Sequence, residues 1–293
     1  MTPLSIILTL ASALIHSSWN FIAKKGNWPV EFFFWVFLVG PLFYLPFFLG
    51  FDAFPLFFSQ ATTKFWLLSI VSGLIQTVYL ICLIEGYRVG DLSLVYPISR
   101  ASPLFTQIWA ALFIGEILST IGVVGIVLVT AGIFVISSGY FRLRDSISPS
   151  KEMSFLPYLL AFTGAMMGSI YSVIDKVCVE IGHPVFYIWI TDLWMCGGLG
   201  LYHLLRKSET LSKAWQDGKR DIPVIALLQN ASYLLILLAL QMSKVSYVVA
   251  FRQVAALFGA GLGIIFLKEK HGMTRMIGAA ILTFGLIFIG FAK

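Results

Sequence analysis

The sequence predicts an all-α membrane protein of ten transmembrane helices arranged as two inverted five-helix repeats. Three observations carry that expectation. Hydrophobic residues make up 59% of the chain and charged residues only 12%, where soluble proteins average about 25% charged. Apolar runs are long enough to cross a bilayer, which takes about 20 residues per helix. The chain also matches itself at a fixed offset.

The ten runs cover 3 to 23, 28 to 50, 65 to 86, 92 to 114, 119 to 138, 155 to 177, 184 to 205, 222 to 241, 245 to 267 and 273 to 292. No Lys or Arg precedes the first, which passes through His16, Trp19 and Asn20 rather than to a small-residue cleavage site; it reads as a mature helix and not a signal peptide. With Ser12 and Lys24 these residues form a polar face. The third run carries Ser72, Gln76, Tyr79 and Gly86, with Glu85 near its end. Along the fourth, Ser93, Tyr96, Arg100, Pro103 and Gln107 follow at helical spacing on one face, opposite Val95, Ile98, Phe105 and Trp109 on a face built for lipid or packing. Gly125 and Gly132 in the fifth permit close packing, as do Gly259, Gly261 and Gly263 in the ninth. Asp175 and Lys176, adjacent at the end of the sixth, read as solvated. The seventh contains Asp192, the eighth Gln229 and Tyr233, and the ninth Arg252. Glu116 and Glu269 close the fourth and ninth runs and read as turn and interface residues.

The longest connections, 139 to 154 and 206 to 221, are too short for soluble catalytic domains. Residues 1 to 138 form the first unit, 139 to 154 a connecting loop and 155 to 293 the second unit. Cys82, Cys178 and Cys196 are odd in number and lie in or beside the spans, which argues for packing and against a disulfide framework. The net charge of +6 reads as topology, with no nucleic-acid partner. Outside the spans, 14 Lys and Arg fall on odd-numbered connections and 4 on the opposite side, which places the odd connections in the cytoplasm and both termini outside.

Sliding the chain by 153 residues superposes Gln76 on Gln229, Ser93 on Ser246, Glu116 on Glu269, Gly125 on Gly278, Thr130 on Thr283 and Gly132 on Gly285. With one residue of slippage, WNFIAK from Trp19 falls on YSVIDK from Tyr171. A duplicated unit with an odd number of spans must enter the membrane from opposite sides in its two copies, so the repeats are inverted. Secondary transporters use this design and hold their substrate near the midplane.

The same offset places Ser99 and Arg100 on Arg252 and Gln253, so each half brings an arginine to the same depth. Each costs about 2.5 to 3.5 kcal/mol at a helix centre. A pair about 10 Å apart adds roughly 1 to 2 kcal/mol of repulsion at an effective dielectric near 20. An anionic group between them relieves both costs through planar, bidentate donors. The competing reading is that Arg100 binds carbonyls freed by Pro97 and Pro103, or reaches to the interface. Gln76 and Gln229 serve either as substrate donors or as interhelical clasps. Trp19, Tyr79 and Tyr171 either shape a cavity or pack. His16 is either a proton carrier or a neutral histidine bonded to a neighbouring helix; Asp192 and Glu85 are further coupling candidates.

GDLSLVYPISRASP from Gly90, followed by ALFIGE from Ala111, in two five-helix units, resembles the drug/metabolite transporter superfamily, EamA type. HSSWNFIAK from His16 is similar to a subset associated with phosphonate utilisation. The second half departs from the pattern, with Ala250 in the place of Pro97 and LKEK in the place of IGEI. The resemblance implies a cavity lined by helices 1, 3, 4, 6, 8 and 9, with 2, 5, 7 and 10 outside. It also implies cytoplasmic termini, opposite to the charge count, so orientation stays open.

The expected protein is therefore a secondary transporter or facilitator in the plasma (inner) membrane, a monomer or homodimer, moving a small organic metabolite with an anionic group by alternating access. Arg100, Arg252, Tyr96, Gln76, Gln229, Trp19, Tyr79, Asn20 and Gln107 are its candidate substrate residues and His16 its candidate proton carrier. No cofactor or metal is expected. A flippase for a lipid-linked sugar phosphate fits the same features; an intramembrane enzyme fits them less well, since the chain has no HExxH helix, no GxSxG elbow and no clustered carboxylates.

Overall fold

The computed structural model describes residues 1–26, 28–50, 53–90, 95, 98–144, 155–206, 210–258 and 273–292. These residues are helical throughout, with no strand among them. In chain order the helices are α1 (Pro3–Gly26), α2 (Val30–Val39), α3 (Leu45–Gly50), α4 (Ala53–Gln60), α5 (Thr63–Val89), α6 (Ser102–Ile114) and α7 (Thr120–Arg144). The second half contains α8 (Leu156–Ile181), α9 (Pro184–Arg206), α10 (Leu211–Gly218), α11 (Asp221–Met242), α12 (Val245–Phe251) and α13 (Met273–Phe291). Six segments are long and apolar enough to cross a membrane, and four shorter apolar helices join them among the described residues. The fourth and ninth expected spans fall partly outside the described residues, as do Gly259, Gly261, Gly263 and Glu269.

The second expected span is present as an apolar segment over Val30–Gly50, but its helix is interrupted: α2 gives way to a 3-10 segment, Gly40–Tyr44, before α3. Pro41 and Pro46 each lack the N–H that an uninterrupted ladder requires. The connections after the second and seventh spans also hold the short helices α4 and α10. Trp35 Nε1 donates to the Leu211 carbonyl at 2.9 Å, and the Trp35 and Trp215 rings lie 4.8 Å apart, so α10 is fastened to α2.

Inversion of the repeats is visible in the packing of α7 against α13. These helices are repeat equivalents, yet a Cβ on Gly125 would lie 2.9 Å from the Gly285 carbonyl, and one on Gly132 would lie 2.8 Å from the Gly278 carbonyl. Early residues of α7 thus meet late residues of α13, and the two helices run antiparallel. A two-fold rotation exchanging Gly125 with Gly278 and Gly132 with Gly285 maps this contact onto itself.

The inner helices obey the same rotation. Ser5 and Ser243 hydroxyls lie 2.7 Å apart. Deeper along α1 and α11, Ser12 Oγ donates to the Ser232 carbonyl at 2.7 Å, and Ser232 Oγ donates to the Ser12 carbonyl at 3.1 Å. The equivalent positions of α8 and α5 also touch: a Cβ on Gly90 would lie 2.5 Å from Pro157 Cβ, and Gly168 abuts the Tyr79 ring. Small residues let these antiparallel pairs approach closely, as membrane helix interfaces require. Leu67, Val71, Leu74 and Val78 on α5 are exposed at helical spacing, as are Phe134 on α7 and Phe288 on α13; these faces point outward to lipid.

Candidate functional site

Both arginines sit where a helix is interrupted. Ile98 and Ser99 are helical, Arg100 and Ala101 form a turn, and α6 begins at Ser102. The Ala101 N–H donates to the Ile98 carbonyl and the Leu104 N–H to the Ala101 carbonyl, both at 3.1 Å. These three-residue loops mark a tightened, 3-10-like backbone. Pro103, in the first turn of α6, fits a helix start because its missing N–H lies among those left unpaired there. In the second repeat Ala256 takes the place of Pro103, and α12 tightens over Arg252–Val254 into a 3-10 turn. Interrupted helices at matching depth in two inverted units are how transporters expose backbone and side-chain groups to a midplane site.

Side chains from five helices gather around Arg252. Its Nη2 lies 3.3 Å from His16 Nδ1 on α1, while its buried Nε has no hydrogen-bond partner among the described residues. Arg100 lies within electrostatic range of both His16 and Arg252. Tyr79 on α5, Tyr171 on α8 and Tyr233 on α11 lie within electrostatic range of Arg252. The Tyr79 and Tyr171 rings meet edge to face at 5.5 Å, and Trp19 meets His16 in the same manner at 5.0 Å. Trp19 Nε1 is buried and has no hydrogen-bond partner among the described residues. Asn20 turns back on its own helix, donating to the His16 carbonyl at 2.7 Å.

Beside this cluster, one turn or more toward the α8 C-terminus, lies a group that the sequence reading misplaced. Asp175 is not solvated: it is 1% exposed. Its Oδ1 accepts from Ser72 Oγ at 2.8 Å and from the Tyr187 hydroxyl at 2.5 Å, and its Oδ2 accepts from the Tyr233 hydroxyl. Gln76 Nε2 donates to Ser72 Oγ at 3.0 Å, so this candidate belongs to the Asp175 network. Lys176 points elsewhere, donating to the Leu240 carbonyl at 2.6 Å and pairing with Glu180 at 2.8 Å. Tyr187 stands on α9, the seventh helix, which the resemblance placed outside. Gly168, Ser172 and Asp175 share one face of α8 by helical spacing, a local signal that Asp175 continues the inward face of the helix and that the solvated reading passed over.

The remaining candidates are placed as follows. Gln229 accepts from Asn230 Nδ2 at 3.0 Å within α11, whereas Gln76, its repeat equivalent, bonds to Ser72. Gln107 is partly buried on α6, two turns beyond the break. Tyr96 lies outside the described residues. Trp109, expected on a lipid or packing face, donates to Ser169 Oγ at 3.1 Å and so ties α6 to α8. Glu85 pairs with Arg88 at 2.5 Å and approaches Arg206 at 3.7 Å near the far end of α5, away from the arginine cluster. Asp192 is buried beside Asn230, both against Gly40.

Glu116 has the interface role expected of it. Gly115 ends α6 with a positive φ of 65°, and Glu116 then reaches the other repeat, accepting from the Val245 N–H at 2.9 Å and the Ser246 N–H at 3.1 Å. A carboxylate on the first amides of α12 satisfies two unpaired donors and complements the helix dipole. Cys82, Cys178 and Cys196 are buried and free.

Inverted helical units whose interrupted helices meet at a buried polar centre form a multi-pass membrane transport architecture. The chain belongs to the EamA-like transporter family, whose model matches residues 3–138 and again 155–291. That double match reproduces the duplication read from the sequence and agrees with the drug/metabolite transporter resemblance. One crystal structure of a protein shares the fold over 97% of this chain and 95% of its own, with a TM-score of 0.72 at 15% identity. No curated protein matches the chain.

Proposed function

We propose that the protein is a secondary transporter or facilitator of the plasma (inner) membrane that carries a small organic metabolite with an anionic group by alternating access. The observation that supports this reading is the pair of arginines, one from each repeat, at matching helix breaks in the buried centre. Two guanidinium groups at that depth cost about 2.5 to 3.5 kcal/mol each, and a carboxylate, phosphate or phosphonate offsets the cost by bidentate hydrogen bonding. Arg252 presents a buried Nε without a partner among the described residues, a donor for such a group. Tyr79, Tyr171 and Trp19 bound the organic part, and the unpartnered Nε1 of Trp19 adds a second donor. Rocking of one repeat against the other about the pseudo-two-fold axis opens the site to each side in turn.

The test is thermal unfolding of the purified full chain across a panel of metabolites. A ligand at 100 times its dissociation constant adds about 2.7 kcal/mol. Stabilisation by an anionic metabolite, absent with its amide or ester and absent in Arg252→Gln, is the expected result. Stabilisation by neutral or cationic compounds alone refutes the anion site. Scrambling of a labelled phospholipid-linked sugar by proteoliposomes, with no uptake of soluble anions, replaces it with flippase activity.

A further inference from the structure

We propose that Asp175 is a proton-binding site that couples proton movement to opening of one end of the molecule, the end bearing the connections at 61–62, 182–183 and 243–244. The inference rests on the transporter reading but not on the arginines as its anion site.

The geometry is that of a clasp. Asp175 sits on α8 and is held from three other helices: Ser72 on α5, Tyr187 on α9 and Tyr233 on α11. α5 belongs to the first repeat and the other three helices to the second, so the carboxylate bridges the two units that must separate when this end opens. No salt bridge reaches Asp175 among the described residues. The titratable and charged groups that face it are Tyr187 from α9, Tyr233 from α11 and Arg252 from the turn after α12, with Tyr171 and Cys178 on α8 itself. From α5 it meets only the Ser72 hydroxyl.

Such surroundings accept either charge state with little movement. An ionised carboxylate only accepts hydrogen bonds, and all three hydroxyls donate to it. On protonation an O–H bond forms at one Oδ with a proton from the aqueous phase at this end, and the charge goes from −1 to zero. That oxygen becomes a donor, so the hydroxyl it meets must turn to accept. Charge-assisted bonds are replaced by weaker neutral ones, but the larger cost of burying an ionised carboxylate is removed, so the protonated form favours the closed end and loss of the proton favours opening. Release of the same proton to the other aqueous phase completes the cycle.

Only one end is built this way. At an offset of 153, Ser72 corresponds to Ile225 and Tyr233 to Leu80, and with the one-residue slippage Asp175 corresponds to Ala23. Ile225, Leu80 and Ala23 pack in a single apolar cluster. The pseudo-symmetric twin of the clasp is therefore a dry contact with nothing to titrate, and a proton acts on one gate alone.

The test uses spin labels on cysteines at Lys64 of α5 and Met242 of α11, both exposed at this end, in the full chain in liposomes without added metabolite. Acidification is expected to populate the shorter distance, because the neutral acid is the form that burial favours, and a rise in pH the longer one. Asp175→Asn, a mimic of the neutral acid, is expected to show the shorter distance at every pH and to bind one proton fewer when acidified in weakly buffered detergent. Tyr233→Phe, which keeps the carboxylate, is expected to retain proton uptake while favouring the longer distance. A distance insensitive to pH in the wild type, or a pH response that survives in Asp175→Asn, overturns the proposal. A change driven by sodium at constant pH overturns the assignment to protons. Because no metabolite is present, failure of the anion site in the metabolite panel leaves these outcomes unaffected.

Discussion

Alanine at Gly132 tests the inverted packing on which the site depends. A Cβ there would lie 2.6 Å from the Leu282 nitrogen and 2.8 Å from the Gly278 carbonyl oxygen; at the equivalent Gly285 it would lie 2.6 Å from the Val129 nitrogen and 2.7 Å from the Gly125 carbonyl oxygen. These are backbone atoms and no rotamer relieves them. Reaching ordinary contact near 3.5 Å requires α7 and α13 to part by roughly an ångström, which forfeits a quarter to a half of each dispersion contact along the seam. Overpacking of this kind costs about 1 to 3 kcal/mol. Replacing a mid-helix glycine by alanine returns about 0.5 to 1 kcal/mol, so the net loss is about 0.5 to 2 kcal/mol.

Gly197 and Gly290 provide the controls, because a Cβ at either meets nothing within 4 Å; alanine there is expected to be neutral or to stabilise by up to about 1 kcal/mol. Gly132 and Gly278 face each other, so one separation of the helices relieves both, and the double variant is expected to cost less than the sum of the singles. Reversible unfolding in detergent measures all of these variants. Equal stability of Gly132→Ala and Gly290→Ala refutes the close antiparallel contact and with it the two-fold relation. Additive costs at Gly132 and Gly278 refute their juxtaposition.

Three further predictions follow from named contacts. Arg252→Gln removes a guanidinium costing about 2.5 to 3.5 kcal/mol at this depth, so its melting temperature without ligand is expected to match or exceed the wild type while transport is lost; a destabilised variant that transports normally refutes a substrate role. Glu116→Ala frees two α12 amides from a charged acceptor and is expected to cost about 1.5 to 3 kcal/mol, with Glu116→Gln recovering part of it, both read by unfolding midpoint. Gly40→Ala places a methyl 2.5 Å from Asn230 Nδ2 and 2.7 Å from Asp192 Oδ2, so a loss of about 1 to 3 kcal/mol is expected, and an unchanged midpoint would show that the second span does not pack on that pair.

The membrane class, the duplication and the paired arginines were legible because each is a local or periodic feature: apolar runs, a constant offset, a charge inside a run. The glycines that set the α7 to α13 seam were legible for the same reason, since equivalence under the offset singled them out. Asp175 was not. Its donors lie 103, 12 and 58 residues away in sequence, and nothing near Asp175 announces Ser72 or Tyr233. Its neighbour Lys176 suggested a solvated pair at a helix end, whereas the two side chains leave α8 in different directions. Trp109 lies on a packing face as its spacing implied, but helical spacing alone does not say that α8 is the neighbour that covers it. The interruption after Val39 was written in Pro41 and Pro46, yet the length and hydrophobicity of the run outweighed them in a reading based on spans.

Duplication by itself makes the two access states of such a molecule nearly equal in energy, because the rotation that exchanges the repeats also exchanges one open end for the other. What separates the states is wherever the copies differ. At one end Ala23, Leu80 and Ile225 close by burying apolar surface, worth about 25 cal/mol per Å² of contact removed from water and indifferent to ions. At the other end Ser72, Asp175, Tyr187 and Tyr233 close by hydrogen bonds to a carboxylate, whose strength depends on whether that group is charged. A ligand biases a two-state equilibrium only by its differential affinity for the two states. A proton that binds Asp175 more tightly when the clasp is closed and the carboxylate buried meets that condition, and the apolar twin does not respond to it. On this reading, the aspartate of YSVIDK in the place of the alanine of WNFIAK, with Ser72 and Tyr233 in the places of Ile225 and Leu80, gives a symmetric scaffold its dependence on a cation.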